Sequence, residues 1–288
     1  SNKSLLFEPT NYNYGAVWPF ISSFFNTAQF KHHYSHSAYQ VLYSNIQHSF
    51  DHALGVVPEV FSGELNEKLG EGYHHQGFST TGYMLPFMKG LLGLEVDAVN
   101  KKVALSPHFP PEWNEVSITN LRVGPEVVSF RIVKADGRWE ISLEKSGQSN
   151  LAIELTPMVT SGFLRKEPNG TVATGLDSHV KFDIPAWSSG TLSRSFEALV
   201  QAEIFPRASE SLIGSTNRDL KIVAVRTVGR EQRIIVEGRS GESYLLSLLN
   251  PAAAEITGAT LQGSQARVSF ERIPRQEFVR KEIVIKIK

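Results

Sequence analysis

The stretch Gly82-Tyr83-Met84-Leu85-Pro86-Phe87-Met88-Lys89-Gly90-Leu91-Leu92-Gly93-Leu94 divides the chain into two kinds of sequence. Up to Leu92 the apolar residues recur at helical spacing. Met84, Leu85, Met88, Leu91 and Leu92 fall on one stripe of a helix predicted over 81–92. Gly93 follows, where a left-handed C-cap costs little. Beyond Leu94 the chain turns to Val, Ile, Ser, Arg and Gly, whereas before it lie His32, His33, His36, His48, His52, His74 and His75, seven of the nine histidines. Two regions of different class are expected.

Upstream, 17–30 places Phe20, Phe24 and Phe25 on one side of a helix, and 37–54 does the same with Val41, Leu42, Ile46 and Phe50. Between the second and third helices, 55–78 is rich in Gly and polar residues, a loop long enough to be functional when ordered. Downstream the period becomes two from about Lys102. Val116, Ile118, Leu121 and Val123, then 128–133 and 139–143 around an Ala135-Asp136-Gly137 turn, predict a β-hairpin. Further strands are predicted at 151–155, 179–184, 220–228, 233–237, 244–248, 266–270 and 282–287. The expected fold class is α+β multidomain: helical hairpins over 1–94, a linker over 95–113, and an antiparallel β-sandwich region over 114–288. Polar residues at 207–219 suggest a division into two lobes there.

With 29 Lys plus Arg against 29 Asp plus Glu, the 288-residue chain lacks the basic excess that holds a nucleic acid by its phosphates. Its 41% apolar and 20% charged residues suit a soluble globular protein. No run approaches the roughly 18 apolar residues of a membrane span, and no leader is recognisable, so a membrane partner is not expected. Cytoplasmic, periplasmic and secreted settings all remain open. The absence of cysteine excludes disulfides and thiolate chemistry. There is no P-loop, GxGxxG or GxSxG motif, and no cofactor is expected. Asn169-Gly170-Thr171 is a glycosylation acceptor in a secreted eukaryotic context.

Three aromatic-rich helices do not close a core by themselves. Tyr12-Asn13-Tyr14-Gly15-Ala16-Val17-Trp18-Pro19, Pro58-Glu59-Val60-Phe61-Ser62-Gly63 and His75-Gln76-Gly77-Phe78-Ser79 follow one another in an order that resembles the last motifs of six-hairpin (α/α)6-toroid glycosidases. Within that group they look most like the glucosidase part of glycogen-debranching-type enzymes, the amylo-α-1,6-glucosidases. The likeness continues through Gly90-Leu91-Leu92-Gly93-Leu94 and 105–113, where such barrels hand over to a β-domain, and covers roughly the first 125 residues. Asn13-Tyr14 stand where the family more often has His and Asn, and Gly77-Phe78 where it more often has Ala-Trp, so the sugar is not carried over.

The resemblance implies the C-terminal part of an inverting α-glycosidase hydrolysing α-glucosidic bonds in oligo- or polysaccharides. Such hydrolysis needs a protonated acid and an ionised base roughly 6.5 to 9.5 Å apart. By resemblance Glu59 is the general base, and Trp18 lines the sugar pocket; Phe61, His75, Gln76 and Phe78 belong to the same wall. The general acid is expected upstream of this chain, so the isolated chain should be nearly inert. The plain alternative for Glu59 is a loop acid that caps a helix or pairs with Lys68. Glu64, Glu67 and Glu71 read as a solvated rim, and Met84, Leu85 and Met88 as helix core. His32 and His36 have metal-ligand spacing, but no acidic or thiolate ligand follows at a fixed distance, so no metal site is expected and these histidines read as polar surface. From another class comes the alternative of a carbohydrate-binding or structural β-sandwich, which would present an exposed aromatic strip with Trp139 or Trp187. The partners expected are a carbohydrate and the preceding part of the same enzyme.

Overall fold

The computed structural model describes residues 6–51, 53–135, 138–159, 171–173, 176–197, 203–205, 210 and 212–287. The Asp136-Gly137 turn and Asn169 lie outside them. The chain turns helical at Pro19, whose fixed φ suits a first helical turn. Helices α1 (Pro19–Lys31), α2 (Ser35–Asp51) and α3 (Gly77–Pro86) follow, the last continuing into a π-helical turn over Phe87–Leu91.

The buried stripes are not the aromatic ones the spacing predicts. Helix α1 buries Pro19, Ser23, Asn26 and Phe30, while Phe24 and Phe25 are more than half exposed. The reason is how closely α1 meets the segment 77–91. A Cβ on Gly82 would lie 2.7 Å from the Pro19 carbonyl oxygen, and one on Gly90 2.4 Å from the Phe30 ring. Backbones this near leave room for Ser and Asn, not for two more phenyl rings. Helix α2 likewise buries Ala38, Leu42, Asn45 and Ser49 and leaves Phe50 exposed. The third helix loses its regular ladder at Pro86, which has no N–H for the Gly82 carbonyl; Asn45 Nδ2 donates to that oxygen at 3.5 Å instead. The ladder then widens, with the Leu92 N–H reaching the Phe87 carbonyl. Leu91 and Leu92 are buried as predicted, Met84 is exposed, and Gly93 takes φ +57°. A Cβ there would sit 2.1 Å from the Ser106 carbonyl oxygen.

Strands β1 (Leu94–Asp97), β2 (Lys102–Leu105), β3 (Glu115–Val123), β4 (Glu126–Ala135), β5 (Arg138–Ser146), β6 (Leu151–Leu155), β7 (Met158–Val159), β8 (Thr171–Ala173), β9 (Ser178–Val180), β10 (Phe182–Trp187) and β11 (Gly190–Glu197) come next. They form sheets ordered β1-β2-β6-β10 and β11-β5-β4-β3 with a small β7-β9-β8 sheet beside them. Pairing is antiparallel except between β2 and β6. Alternation in β4 and β5 buries Val128, Phe130, Ile132, Ile141 and Leu143 on one face. These residues share one continuous core with Phe30, Leu42 and Leu91 of the helical region. The helices therefore pack on this sandwich instead of forming a separate unit. The expected linker over 95–113 is corrected accordingly: it carries β2 and the rest of β1, and Val103, Leu105 and Phe109 are core residues.

Strands β12 (Glu203–Phe205), β13 (Lys221–Val228), β14 (Glu231–Arg239), β15 (Ser243–Leu249), β16 (Ala254–Thr257), β17 (Thr260–Gln262), β18 (Gln265–Ser269) and β19 (Phe278–Ile287) build two further sheets, β12-β15-β18-β17 and β13-β14-β19-β16. They enclose a second core that includes Ile204, Ile222, Ile234, Val268 and Ile285. Strand β12 already belongs to this second core, so a division between the two cores lies before 203 and not at 207–219. Gln40 of α2 ties this lobe to the helices: its Nε2 donates to the Leu220 carbonyl at 3.0 Å and its Oε1 accepts from the Ile222 N–H at 2.9 Å. The side-chain amide thus continues the ladder at the edge of β13. Trp139 and Trp187 lie in the first core, so neither forms an exposed aromatic strip.

Candidate active site

Residues 57–62 run extended beneath the N-terminal segment. The Val17 N–H donates to the Phe61 carbonyl at 2.9 Å and the Phe61 N–H to the Val17 carbonyl at 2.8 Å, while the Leu69 N–H reaches Val60. This miniature ladder requires close backbone contact. A Cβ on Gly63 would lie 2.0 Å from the Gly15 carbonyl oxygen, and one on Gly15 1.7 Å from that of Glu8. Two glycines of the quoted motifs thus serve to bring the motifs together.

Glu59 is buried at 6% exposure. Its N–H donates to the Tyr73 carbonyl at 3.0 Å, its Oε2 accepts from the Tyr73 N–H at 3.1 Å, and its carbonyl accepts from Ser79 Oγ at 3.5 Å. The Tyr12 side chain also interacts with the carboxylate; partial burial first, then this interaction with Glu59, raises Tyr12 above the ordinary tyrosine value. Trp18 stands against Tyr12 edge to face, ring centroids 4.8 Å apart, and its indole N–H donates to the Tyr12 carbonyl at 3.0 Å. The plain alternative for Glu59 does not hold: Lys68 bonds His74, and the carboxylate binds a loop N–H and caps no helix.

Among the other predicted wall residues, Gln76 is half-buried at the N-cap of α3 with its N–H on the Val57 carbonyl, and Phe78 packs on Phe20 at 4.9 Å. His75 is exposed, as are Glu64, Glu67 and Glu71. Phe61 is 3% exposed and stacks on His48 at 4.2 Å. It lines a cleft of about 400 Å³ shared with His48, Asp51, Asn66, Arg218 and Lys221, whose wall includes neither Glu59 nor Trp18. The structure therefore gathers Glu59 and Trp18 around Tyr12 and turns Phe61 to a different surface. Tyr73, which holds the carboxylate, and Tyr12, which neighbours it, escape sequence reasoning; Tyr12 lies in a quoted motif, but nothing local says which way its phenol points.

A second polar cluster sits where helices meet the first sandwich. His33 Nδ1, Asp177 Oδ1 and His179 Nε2 converge: His33 to Asp177 is 2.9 Å, His179 to Asp177 3.0 Å, and His179 to His33 2.7 Å. Ser35 Oγ donates to Asp177 Oδ2 at 3.3 Å and contacts His108 Nδ1 at 3.0 Å. Burial works to raise Asp177, but hydrogen bonds from His179 and His33 outweigh it and hold the carboxyl far below its usual range. Burial lowers His179, yet the Asp177 partner leaves it above its ordinary value. Burial pushes His108 down to about 3 and His36 down to about 4. The expectation that these histidines are polar surface is thus overturned for His33 and His36, which the tertiary fold draws inward. Among the described residues, His33, Asp177 and His179 are the set placed to hold a metal ion. The Asp-Ser-His run at 177–179 carries a local signal, but His33 lies 146 residues from His179 and no sequence spacing joins them. Compared with known proteins, the chain matches no family model, no curated protein and no solved structure.

Proposed function

We propose that the chain is the C-terminal part of an inverting α-glycosidase of the debranching type, acting on α-glucosidic bonds, and that Glu59 is its general base. The single observation that carries this reading is the Glu59 carboxylate: buried, held by the Tyr73 N–H, and close to Tyr12, against which the half-buried Trp18 packs. A base that positions water needs a carboxylate fixed within a fraction of an ångström, and backbone-anchored hydrogen bonds supply that. A sugar ring presents an apolar C–H face, which the Trp18 indole suits, and a hydroxyl edge, which the Gln76 amide suits. Support for a larger helical layer comes from Ile21, Phe24, Phe25 and Phe50, all more than half exposed on α1 and α2. An (α/α)6 toroid buries such faces against neighbouring helices. The acid that protonates the leaving oxygen is supplied from outside these 288 residues, across a gap of roughly 6.5 to 9.5 Å from Glu59.

The test is hydrolysis of α-1,6- and α-1,4-linked glucose oligomers by the assembled enzyme carrying native Glu59 or Glu59→Gln. Turnover is expected to fall about 10²–10⁴-fold in the variant, with sugar affinity retained and, in the native enzyme, release of the inverted anomer. Hydrolysis by Glu59→Gln within a few-fold of native would remove the assignment.

A further inference from the structure

From the cluster of His33, Asp177 and His179 we infer a structural zinc-type site that clamps the α1–α2 turn to the first β-sandwich. It is independent of the glycosidase reading and stands whether or not that reading holds.

The three ligand atoms come from different parts of the fold. His33 projects from the turn after α1, where its φ of 66° places it in the left-handed region. Asp177 and His179 flank and enter β9, two residues apart and so on one side of the strand. Their three mutual distances, 2.7 to 3.0 Å, form a near-equilateral triangle. Hydrogen bonding alone satisfies such a triangle poorly. Each edge needs a proton, an ionised carboxylate brings none, and each imidazole nitrogen carries at most one. Two protons at most must then serve three edges.

When the His179 ring is neutral, its one proton is taken up at the other end of the ring. Its Nδ1 faces the Thr156 carbonyl oxygen at 3.2 Å, and a carbonyl only accepts, so Nδ1 is the donor. In the neutral ring this leaves the Nε2 lone pair aimed at the centre of the triangle. A backbone carbonyl fixing the far nitrogen of a histidine is the outer-shell arrangement that orients imidazole ligands on metals. The second oxygen of Asp177 is held in the same manner by Ser35 Oγ, itself bonded to the buried His108. Two neutral nitrogens and one carboxylate oxygen suit zinc, and ligand bonds of about 2.0 to 2.2 Å would open the triangle by only a few tenths of an ångström. His179 and Asp177 are 7% and 4% exposed, while His33 at 28% leaves a side open to solvent, which gives an ion its way in and a water the fourth position.

The consequence is mechanical. The ion would join residues more than 140 positions apart, and because the unfolded chain has no preformed triangle, its binding free energy would add to stability.

The experiment uses the full 288-residue chain, stripped with a chelator and dialysed, then titrated with Zn²⁺ by calorimetry and followed by thermal unfolding. One equivalent bound with a dissociation constant at or below about a micromolar, and a melting point that rises with zinc, are expected. Asn tolerates the left-handed backbone, so His33→Asn should keep the fold while weakening zinc at least about 100-fold and abolishing the zinc-dependent shift. His179→Gln should do the same. Co²⁺ in place of zinc should give the intense visible absorption of a four-coordinate site in native protein and not in His33→Asn. Failure of the native chain to take up one equivalent, or uptake that His33→Asn leaves unchanged, would overturn the site in favour of a proton-held His–Asp–His network.

Discussion

Glu59 and Tyr73 exchange two hydrogen bonds: the Glu59 N–H donates to the Tyr73 carbonyl at 3.0 Å and the Tyr73 N–H donates to Glu59 Oε2 at 3.1 Å. One residue is thereby fixed by both its backbone and its side chain to a loop 14 positions away. Glu59→Gln keeps an acceptor for the Tyr73 N–H, whereas Glu59→Leu removes that acceptor from the buried end of the bond. The Leu variant should lose about 1–3 kcal/mol of stability in urea denaturation and the Gln variant much less. Equal stability of the Leu variant and native protein would mean the carboxylate does not fasten the loop.

Gly15 brings the N-terminal motif onto the Glu59 strand. A side chain there meets the Glu8 carbonyl oxygen at 1.7 Å, a backbone atom with no rotamer to yield. Gly15→Ala should therefore cost about 2–3 kcal/mol. Gly70 has nothing within 4 Å of an added Cβ, so Gly70→Ala should stay within about 0.5 kcal/mol of native. Parallel melts of the two variants compare a close backbone approach with an open loop, and similar midpoints would contradict the packing.

His36 sets an acid limit on stability. Burial pushes its folded-state value down to about 4 from the ordinary 6.5, while the polar backbone at Ile204 and the charge of Asp177 oppose the shift. The folded state thus refuses a proton that the unfolded state accepts. The contribution of neutral His36 is intact above about pH 6.5 and is lost progressively as pH falls toward 4, with a slope of at most about 1.4 kcal/mol per pH unit. Tyr39, His108 and Met158 surround the same small cavity, and of these His108 titrates in the same direction. His36→Leu should flatten the acid limb of the urea midpoint plotted between pH 7 and 4.5; an unaltered limb would assign it elsewhere.

Trp18 distinguishes a sugar platform from a packing residue. In the assembled enzyme, Trp18→Ala should weaken binding of glucose oligomers by about 1–3 kcal/mol, taking base–aromatic stacking as the scale. Trp18→Phe should recover part of the loss. Calorimetry showing the same affinity in Trp18→Ala and native enzyme would return the indole to the core, beside Tyr12.

The chain's own pattern of apolar residues was enough to place the switch of class at Leu94, to draw most of the long strands from β3 to β19, and to put a left-handed residue at Gly93, because period-two alternation and glycine punctuation are local properties of the backbone. Glu59 and Trp18 stand out through the resemblance of their short motifs to glycosidase motifs and not through periodicity. Short strands such as β1, β12 and β17 went unread, since four or fewer residues carry too little periodicity. The helix faces came out inverted at Phe24, Phe25 and Phe50, since a close crossing through Gly82 and Gly90 is a fact about two elements and not about either one. The same holds for Tyr12 beside Glu59 and, above all, for His33 meeting Asp177 and His179. Hydrogen bonding and ligation depend on positions within about 3 Å in space, and only the folded chain decides which distant residues reach them.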